Sequence, residues 1–143
     1  MKSPAWGIHG FSLTELIVVV ALLSVLATIA IPNYRDYITR SRRSDGMIAL
    51  LHLANEQRQF RSDWNTFTDN FTSLPSTNLS PDRYYEITIP TADATFFVVQ
   101  AVPVGSQAGD GALRLSATGE QTWDQDNSGN FACSWDHANS RGC

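Results

Sequence analysis

One carboxylate in this chain stands where a charge is costly. Glu15 is the single charged residue between Phe11 and Ile31, a run of 21 residues that is otherwise apolar or hydroxylated. A charge near the end of such a run costs a few kcal/mol in hydrocarbon, so Glu15 needs a partner. Two partners are within reach. An acid in the first turn complements the helix dipole, worth about 0.3 to 1 kcal/mol at exposed sites. If the chain is cut between Gly10 and Phe11, the new amine lies about one helical turn from Glu15. A second group is Cys133 and Cys143, which enclose nine residues; a disulfide closing that loop is worth about 3 kcal/mol, against a metal pair with His137 or a free thiol. A third is Asp124-Gln125-Asp126-Asn127-Ser128-Gly129, which starts like a calcium loop with Asp124 and Asp126 as ligands, but Trp135 stands where the bidentate Glu is required. His9, His52 and His137 are scattered, and no G-x-S-x-G, phosphate-binding glycine loop or paired metal motif occurs. The sequence is not that of an enzyme, and it implies no cofactor.

The elements that must position these groups begin with the apolar run. At about 1.5 Å per residue it spans roughly 30 Å, the thickness of a bilayer core. Three N-terminal readings compete: a secretory signal cleaved near Thr28-Ile29-Ala30, a plain membrane anchor, and cleavage at Gly10/Phe11 that leaves the apolar helix on the mature chain. For an anchor, charge placement is inverted, with Lys2 before the run and Arg35, Arg40, Arg42 and Arg43 after it. The net charge of −4 over 143 residues excludes a generally basic nucleic-acid binder; DNA contact through Arg40, Arg42 and Arg43 has no other support. The cysteine pair on an export-type chain points to an oxidising compartment.

Pro32 predicts a kink or melted segment around Thr28 to Pro32. Residues 33–62 read as an amphipathic helix, with Tyr34, Tyr37, Ile38, Met47, Leu50, Leu51 and Ala54 on a packing face and Leu53 and Phe60 beside them, and with Arg35, Asp36, Arg40, Arg42, Arg43, Asp45, Glu56, Arg58 and Arg61 on a charged face that is either solvated or sets subunit register. Gly46 weakens that helix by about 1 kcal/mol relative to alanine. Residues 63–83 form a long polar connection pinned by Trp64, Phe67, Phe71 and Leu74, with weak glycosylation patterns at Asn70 and Asn78. Residues 84–124 alternate as strands: Tyr84 to Ile89, broken by Pro90; Thr95 to Val102; and two shorter runs about Gly119. Residues 125–143 form the cysteine loop. The expected fold is α+β, a long N-terminal helix packed on a four-stranded antiparallel β-meander.

Gly10-Phe11-Ser12-Leu13-Thr14-Glu15, followed by Leu16 to Ala21, resembles the class III signal of type IV prepilins, and the order of helix, loop, meander and C-terminal cysteine pair is similar to the pilin fold. Tyr34 to Phe67 resembles, more loosely, the minor pilins often labelled PilE. The resemblance implies a 1–10 leader removed by a prepilin peptidase at Gly10/Phe11, N-methylation of Phe11, an 11–32 transmembrane and assembly helix, and a 33–143 periplasmic domain. It further implies that Glu15 meets the amine of a neighbouring subunit's Phe11, that the helix loosens at Pro32 in the fibre, and that Cys133 and Cys143 close a surface loop. The implied partners are other major and minor pilins, the peptidase, the inner-membrane assembly platform and, before assembly, the inner membrane itself; afterwards the subunit lies in an extracellular fibre serving motility, adhesion or DNA uptake. Two rivals stay open: a type II secretion pseudopilin, some of which bind calcium near this region, and a membrane-anchored binding module using Trp64, Phe67 and Phe71.

Overall fold

The helical pattern from Leu13 onward runs through Pro32 and Gly46, and a computed structural model, which describes residues 12–135, forms one continuous helix of 52 residues: α1 (Leu13–Trp64). It ends at Asn65, whose φ of 56° is the left-handed turn asparagine tolerates, with its N–H donating to the Arg61 carbonyl at 2.8 Å. The expected break at Pro32 is absent; the helix carries Pro32 in its interior. Pro32 lacks the N–H that would donate to the Thr28 carbonyl, and the turns on either side carry side-chain bonds to other carbonyls: Thr28 Oγ1 donates to Val25 O at 2.6 Å, and Asn33 Nδ2 to Ile29 O at 3.0 Å. The chain divides into two units, Met1–Asp36 and Tyr37–Cys143.

In the first unit, the described helix packs on nothing: Leu13, Leu16, Leu22, Leu26 and Ile29 are all more than half exposed. Its 18-residue window of mean hydropathy 2.5 is long and apolar enough to cross a membrane.

The second unit is a sheet covered by the later part of α1. Alternating apolar residues form β1 (Tyr85–Ala92) and β2 (Phe97–Pro103), and β3 (Leu113–Ser116) and β4 (Gln121–Trp123) turn about Gly119, whose φ is 87°. A fifth strand, β5 (Cys133–Ser134), pairs with β4, so the expected four strands are five, in the order β1-β2-β3-β4-β5, all antiparallel. Two residues are too short to carry a period-two signal, which is why β5 reads as loop in the sequence. Pro90 does not end β1: it falls where the register shifts between Thr88 and Thr91, an irregularity that needs no donor from it. The hairpin turn lies at Asp93–Phe96, where Asp93 Oδ1 accepts from the N–H of Thr95 and Phe96, at 2.6 and 2.8 Å.

The core joins Leu50, Leu53 and Ala54 of α1 to Tyr85, Ile87, Phe97, Val99 and Leu113 of the sheet, with Phe67, Trp123 and Trp135 in the same cluster. The helix face that buries is only partly the one expected: Leu50, Leu53 and Ala54 are inside, with Met47 and Phe60 packed against them. Tyr37 and Leu51 are 64% and 43% exposed, while Arg43, Asp45, Gly46 and Gln57 are buried with Leu50, Leu53 and Ala54. Gly46 explains the close approach: a Cβ there would stand 3.0 Å from two ring carbons of Tyr85 and 3.1 Å from Leu113 Cδ1. The glycine that weakens the helix lets it sit on the sheet.

Candidate functional site

The apolar unit is built to be surrounded by something other than its own chain. Its hydroxyls are already satisfied internally: Ser24 Oγ donates to Val20 O at 2.8 Å, Thr28 back-bonds as described, and Ser12 and Thr14 share a 2.8 Å hydrogen bond. Such back-bonding removes the cost of placing a hydroxyl in apolar surroundings. Glu15 is exposed, and among the described residues no hydrogen bond or ion pair reaches it. The chemistry left to this surface is apolar packing plus one ionic contact. Gly10 and Phe11 lie outside the described residues.

In the second unit the polar chemistry is internal. The Arg43 guanidinium meets the Asp110 carboxylate through two bonds, Nε to Oδ2 at 2.7 Å and Nη2 to Oδ1 at 2.6 Å, and lies 4.1 Å over the Trp123 ring. Tyr85 O–H donates to Asp110 Oδ2 at 3.1 Å, and Gln107 Nε2 donates to Asp110 Oδ2 at 2.9 Å and to the Thr39 carbonyl at 2.9 Å. The network ties the 3-10 turn Gly105–Gln107 and the following loop to α1. Burial, and then the Asp110 charge, push the Tyr85 phenol well above its ordinary value. Two residues on, Asp45 pins the end of the connecting loop: Ser80 Oγ donates to Oδ2 and the Asp82 N–H to Oδ1 at 3.1 Å. The sequence signal for the network is phase, because residues 43, 46, 50, 53 and 57 lie on one helical stripe.

The basic cluster is therefore split. Arg43 is inside, Arg42 lies 4.5 Å over Tyr84 and donates to Ser106 Oγ at 3.0 Å, and Arg40 is half-buried. The loop aromatics are split as well: Trp64 is 69% exposed beside Phe60, whereas Phe67 is buried edge-on to Phe97. A groove of about 680 Å3 runs between α1 and the connecting loop, with His52, Pro75, Leu79 and Arg83 among its walls. On the sheet, Thr88, Gln100, Arg114, Thr122 and Ser134 align as one cross-strand row. Arg114 lies 3.6 Å over Phe131 and donates to Gln100 Oε1 at 2.9 Å, while its buried Nε has no hydrogen-bond partner among the described residues.

The candidate calcium loop uses its carboxylates on its own backbone. Asp124 Oδ1 accepts from Ser128 N at 3.1 Å, Asp124 Oδ2 from Gly129 N at 2.9 Å, and Asp126 Oδ1 from Ser128 N at 3.2 Å. Hydrogen bonds from Ser128 hold the Asp126 carboxyl below its usual range. Among the described residues no group of three acidic, His or Cys side chains could hold a metal. Cys133 is buried at the end of β4's partner strand and no described cysteine is free; Cys143 and His137 lie outside the described residues.

Comparison with known proteins adds two family matches. Residues 32–130 match the family described as type IV minor pilin ComP, DNA uptake sequence receptor, and residues 7–31 match the prokaryotic N-terminal methylation motif. Among curated proteins, the chain is 31% identical to the type IV major pilin protein PilA of Myxococcus xanthus (strain DK1622) over 97 residues, 67% of this chain and 44% of that one. It is 53% identical to the type IV major fimbrial protein FimA of Dichelobacter nodosus over 38 residues, 27% of this chain and 24% of that one. The matched stretches thus span less than half the length of these relatives. Among solved structures, the non-core minor pilin PilV of Neisseria meningitidis shares the fold at a TM-score of 0.55 and 22% identity, covering 65% of this chain and 93% of that one.

Proposed function

Because the chain belongs to the type IV minor pilins, which are structural subunits and not enzymes, we propose that it is a fibre subunit that polymerises through α1. The observation that carries this reading is the first unit: a helix apolar enough to span a bilayer, with exposed leucines and valines on every side and one carboxylate, Glu15. In the bilayer that surface meets lipid; in a fibre it meets the same helix of other subunits. The methylation-motif match over residues 7–31 supports cleavage by a prepilin peptidase at Gly10/Phe11 and methylation of Phe11. In this reading Glu15 pairs with the amine of a neighbouring Phe11, the second unit is periplasmic before assembly, and an assembly platform moves the subunit from membrane to fibre. Cys133 and Cys143 pair to close the C-terminal loop. Pro32 serves as the loosening point only once subunits pack.

Mass spectrometry of protein extracted from membranes is expected to find an N-methylated Phe11 terminus, and Glu15→Ala to leave insertion and processing intact while lowering incorporation into sheared fibres. An intact leader, or a start at Ile31, overturns the processing step; normal incorporation of Glu15→Ala overturns the registry role.

A second reading, DNA contact, is favoured by the family match itself, since that family is described as a DNA uptake sequence receptor. With a net charge of −4, such contact has to be local, and the row centred on Arg114, with Phe131 as a stacking surface, offers one cation among hydroxyl and amide donors. Titrating a labelled duplex with full-length protein in detergent tests it: Arg114→Gln should weaken binding and reduce the salt slope by about one counterion. An unchanged slope and affinity removes Arg114 from the contact.

A further inference from the structure

We propose that Tyr37, Arg40, Ser41 and Ser44 form a binding site for the phosphate of an anionic lipid headgroup, which holds the subunit in the membrane leaflet before assembly. The four residues follow the i, i+3, i+4, i+7 spacing of one helical face and three of them, Tyr37, Ser41 and Ser44, are exposed. Together they line a recess of about 300 Å3. That face presents one guanidinium and three hydroxyl donors, the set that suits a phosphate. None of the four makes a side-chain hydrogen bond to any described residue. The contrast with the apolar run is informative. There Ser24 and Thr28 donate to the carbonyls one turn back, the usual fate of a helical hydroxyl without another acceptor. Ser41 and Ser44 do not.

Position along the chain selects the lipid over other phosphates. Counted from Glu15, which is kept at the near edge of the bilayer, a hydrocarbon layer of about 30 Å takes about 20 helical residues and ends at Arg35. Tyr37 to Ser44 follows in the headgroup layer, where tyrosine and arginine anchors concentrate, and helical side chains slant back toward the N-terminus and so toward the lipid. The site also accounts for the inverted charge placement, since arginines following the apolar run oppose the usual orientation bias. Extraction into a fibre then has to break this contact, so the anionic lipid content of the membrane sets how readily the subunit leaves.

The proposal rests on α1 being a membrane anchor, and one experiment separates the two. Full-length protein is reconstituted in vesicles of phosphatidylcholine alone or mixed with phosphatidylglycerol, re-extracted in mild detergent, and the lipid retained per protein is counted by native mass spectrometry. Association with neutral vesicles measures the anchor, and enrichment of phosphatidylglycerol measures the site. The wild type is expected to enrich phosphatidylglycerol, and Arg40→Gln to lose about fivefold of that enrichment, the effect of one arginine at an anionic surface. Ser41→Ala with Ser44→Ala should lower it further, while Arg58→Gln, at an exposed position on the same helix, should not change it. Inorganic phosphate in excess should not displace the lipid. Failure to associate with any vesicle overturns the anchor and the proposal with it. Normal anchoring without enrichment, equal losses in Arg40→Gln and Arg58→Gln, displacement by free phosphate, or competition by a DNA duplex or a second pilin overturns the lipid site alone.

Discussion

The two parts of α1 invert the usual relation between polarity and burial. From Leu13 to Ile31 the helix is apolar and exposed, with hydroxyls turned onto their own backbone; from Arg43 to Gln57 its buried stripe includes an arginine, an aspartate and a glutamine. Full burial of each leucine or valine removed from water is worth about 1.5 to 3 kcal/mol, so the first part holds a large favourable term that the single chain leaves unused. The second part gains specificity from charge, because Arg43, Asp110 and Asp45 fix which loops lie against which turn of the helix. The apolar surface is addressed to other molecules, and the polar one to the subunit's own fold.

The largest expected effect cuts the internal side of that contrast. Asp110→Ala removes the carboxylate that holds the Arg43 guanidinium and the Tyr85 hydroxyl in the interior, and removing one partner of a buried pair costs about 3 to 5 kcal/mol. Chemical denaturation of the full-length protein in detergent, followed by Trp123 and Trp135 fluorescence, measures it. Leu22→Ala, at a residue 60% exposed, is the counterpart and should leave the same transition in place. A comparable shift in both would mean that the two parts of the helix are not energetically separate.

Gly111→Ala comes next. A Cβ there would lie 1.9 Å from the Asp124 carbonyl oxygen and 2.4 Å from Trp123 Nε1, so β4's exit must move or the loop carrying Asp110 must lift. Overpacking of this kind costs about 1 to 3 kcal/mol, and near the upper figure here because the obstructing atom is backbone. A stability loss below about 1 kcal/mol would show that the loop yields without disturbing the Arg43 pair.

Tyr85 gives a pH signature for the same network. Burial and the Asp110 charge raise its phenol above the ordinary value, so the folded state keeps the proton where the unfolded chain releases it. The contribution is fully present below the unfolded value of about 10 and is lost at about 1.4 kcal/mol per pH unit above it. Tyr85→Phe should cost about 1 kcal/mol at neutral pH, the value of one hydrogen bond, and should flatten the decline above pH 10. A decline of unchanged slope in Tyr85→Phe would assign it to other groups.

Much of this was legible in the residues. The apolar run, the single carboxylate, the helix length and the alternating strands predict a long helix on an antiparallel sheet, and the motif at Gly10 to Glu15 points to the pilin family that residues 32–130 match independently. What was not legible has a common cause. Arg43 and Asp45 read as solvated because single-chain patterns assign charge to water, and their burial depends on Asp110 and Ser80, 67 and 35 residues away. Tyr37 read as core because it is aromatic at helical spacing, yet the glycine at position 46 rotates the buried stripe toward itself. Pro32 read as a break because its own N–H is missing, whereas the loss of one hydrogen bond does not end a helix of 52 residues. β5 was too short to see.

The smallest expected effect concerns the loop that imitates a calcium site, and it sharpens the contrast by asking whether the outer end of the sheet is also closed to ligands. Both oxygens of Asp124 already accept backbone N–H groups from Ser128 and Gly129, and Asp126 accepts from Ser128, so a cation would have to displace three hydrogen bonds to gain two carboxylates. Calcium or a chelator is therefore expected to leave the melting temperature unchanged. Acid should act where calcium does not. The Asp126 carboxyl is held low by Ser128, so its contribution is present above the ordinary carboxylate value and fades as pH falls through the depressed one. Asp126→Asn should lower stability slightly at neutral pH and flatten the acid limb. A calcium-dependent rise in melting temperature, abolished by Asp126→Asn, would instead mean that the loop opens to take a cation, and would move this subunit toward the calcium-binding pseudopilins it otherwise departs from at Trp135.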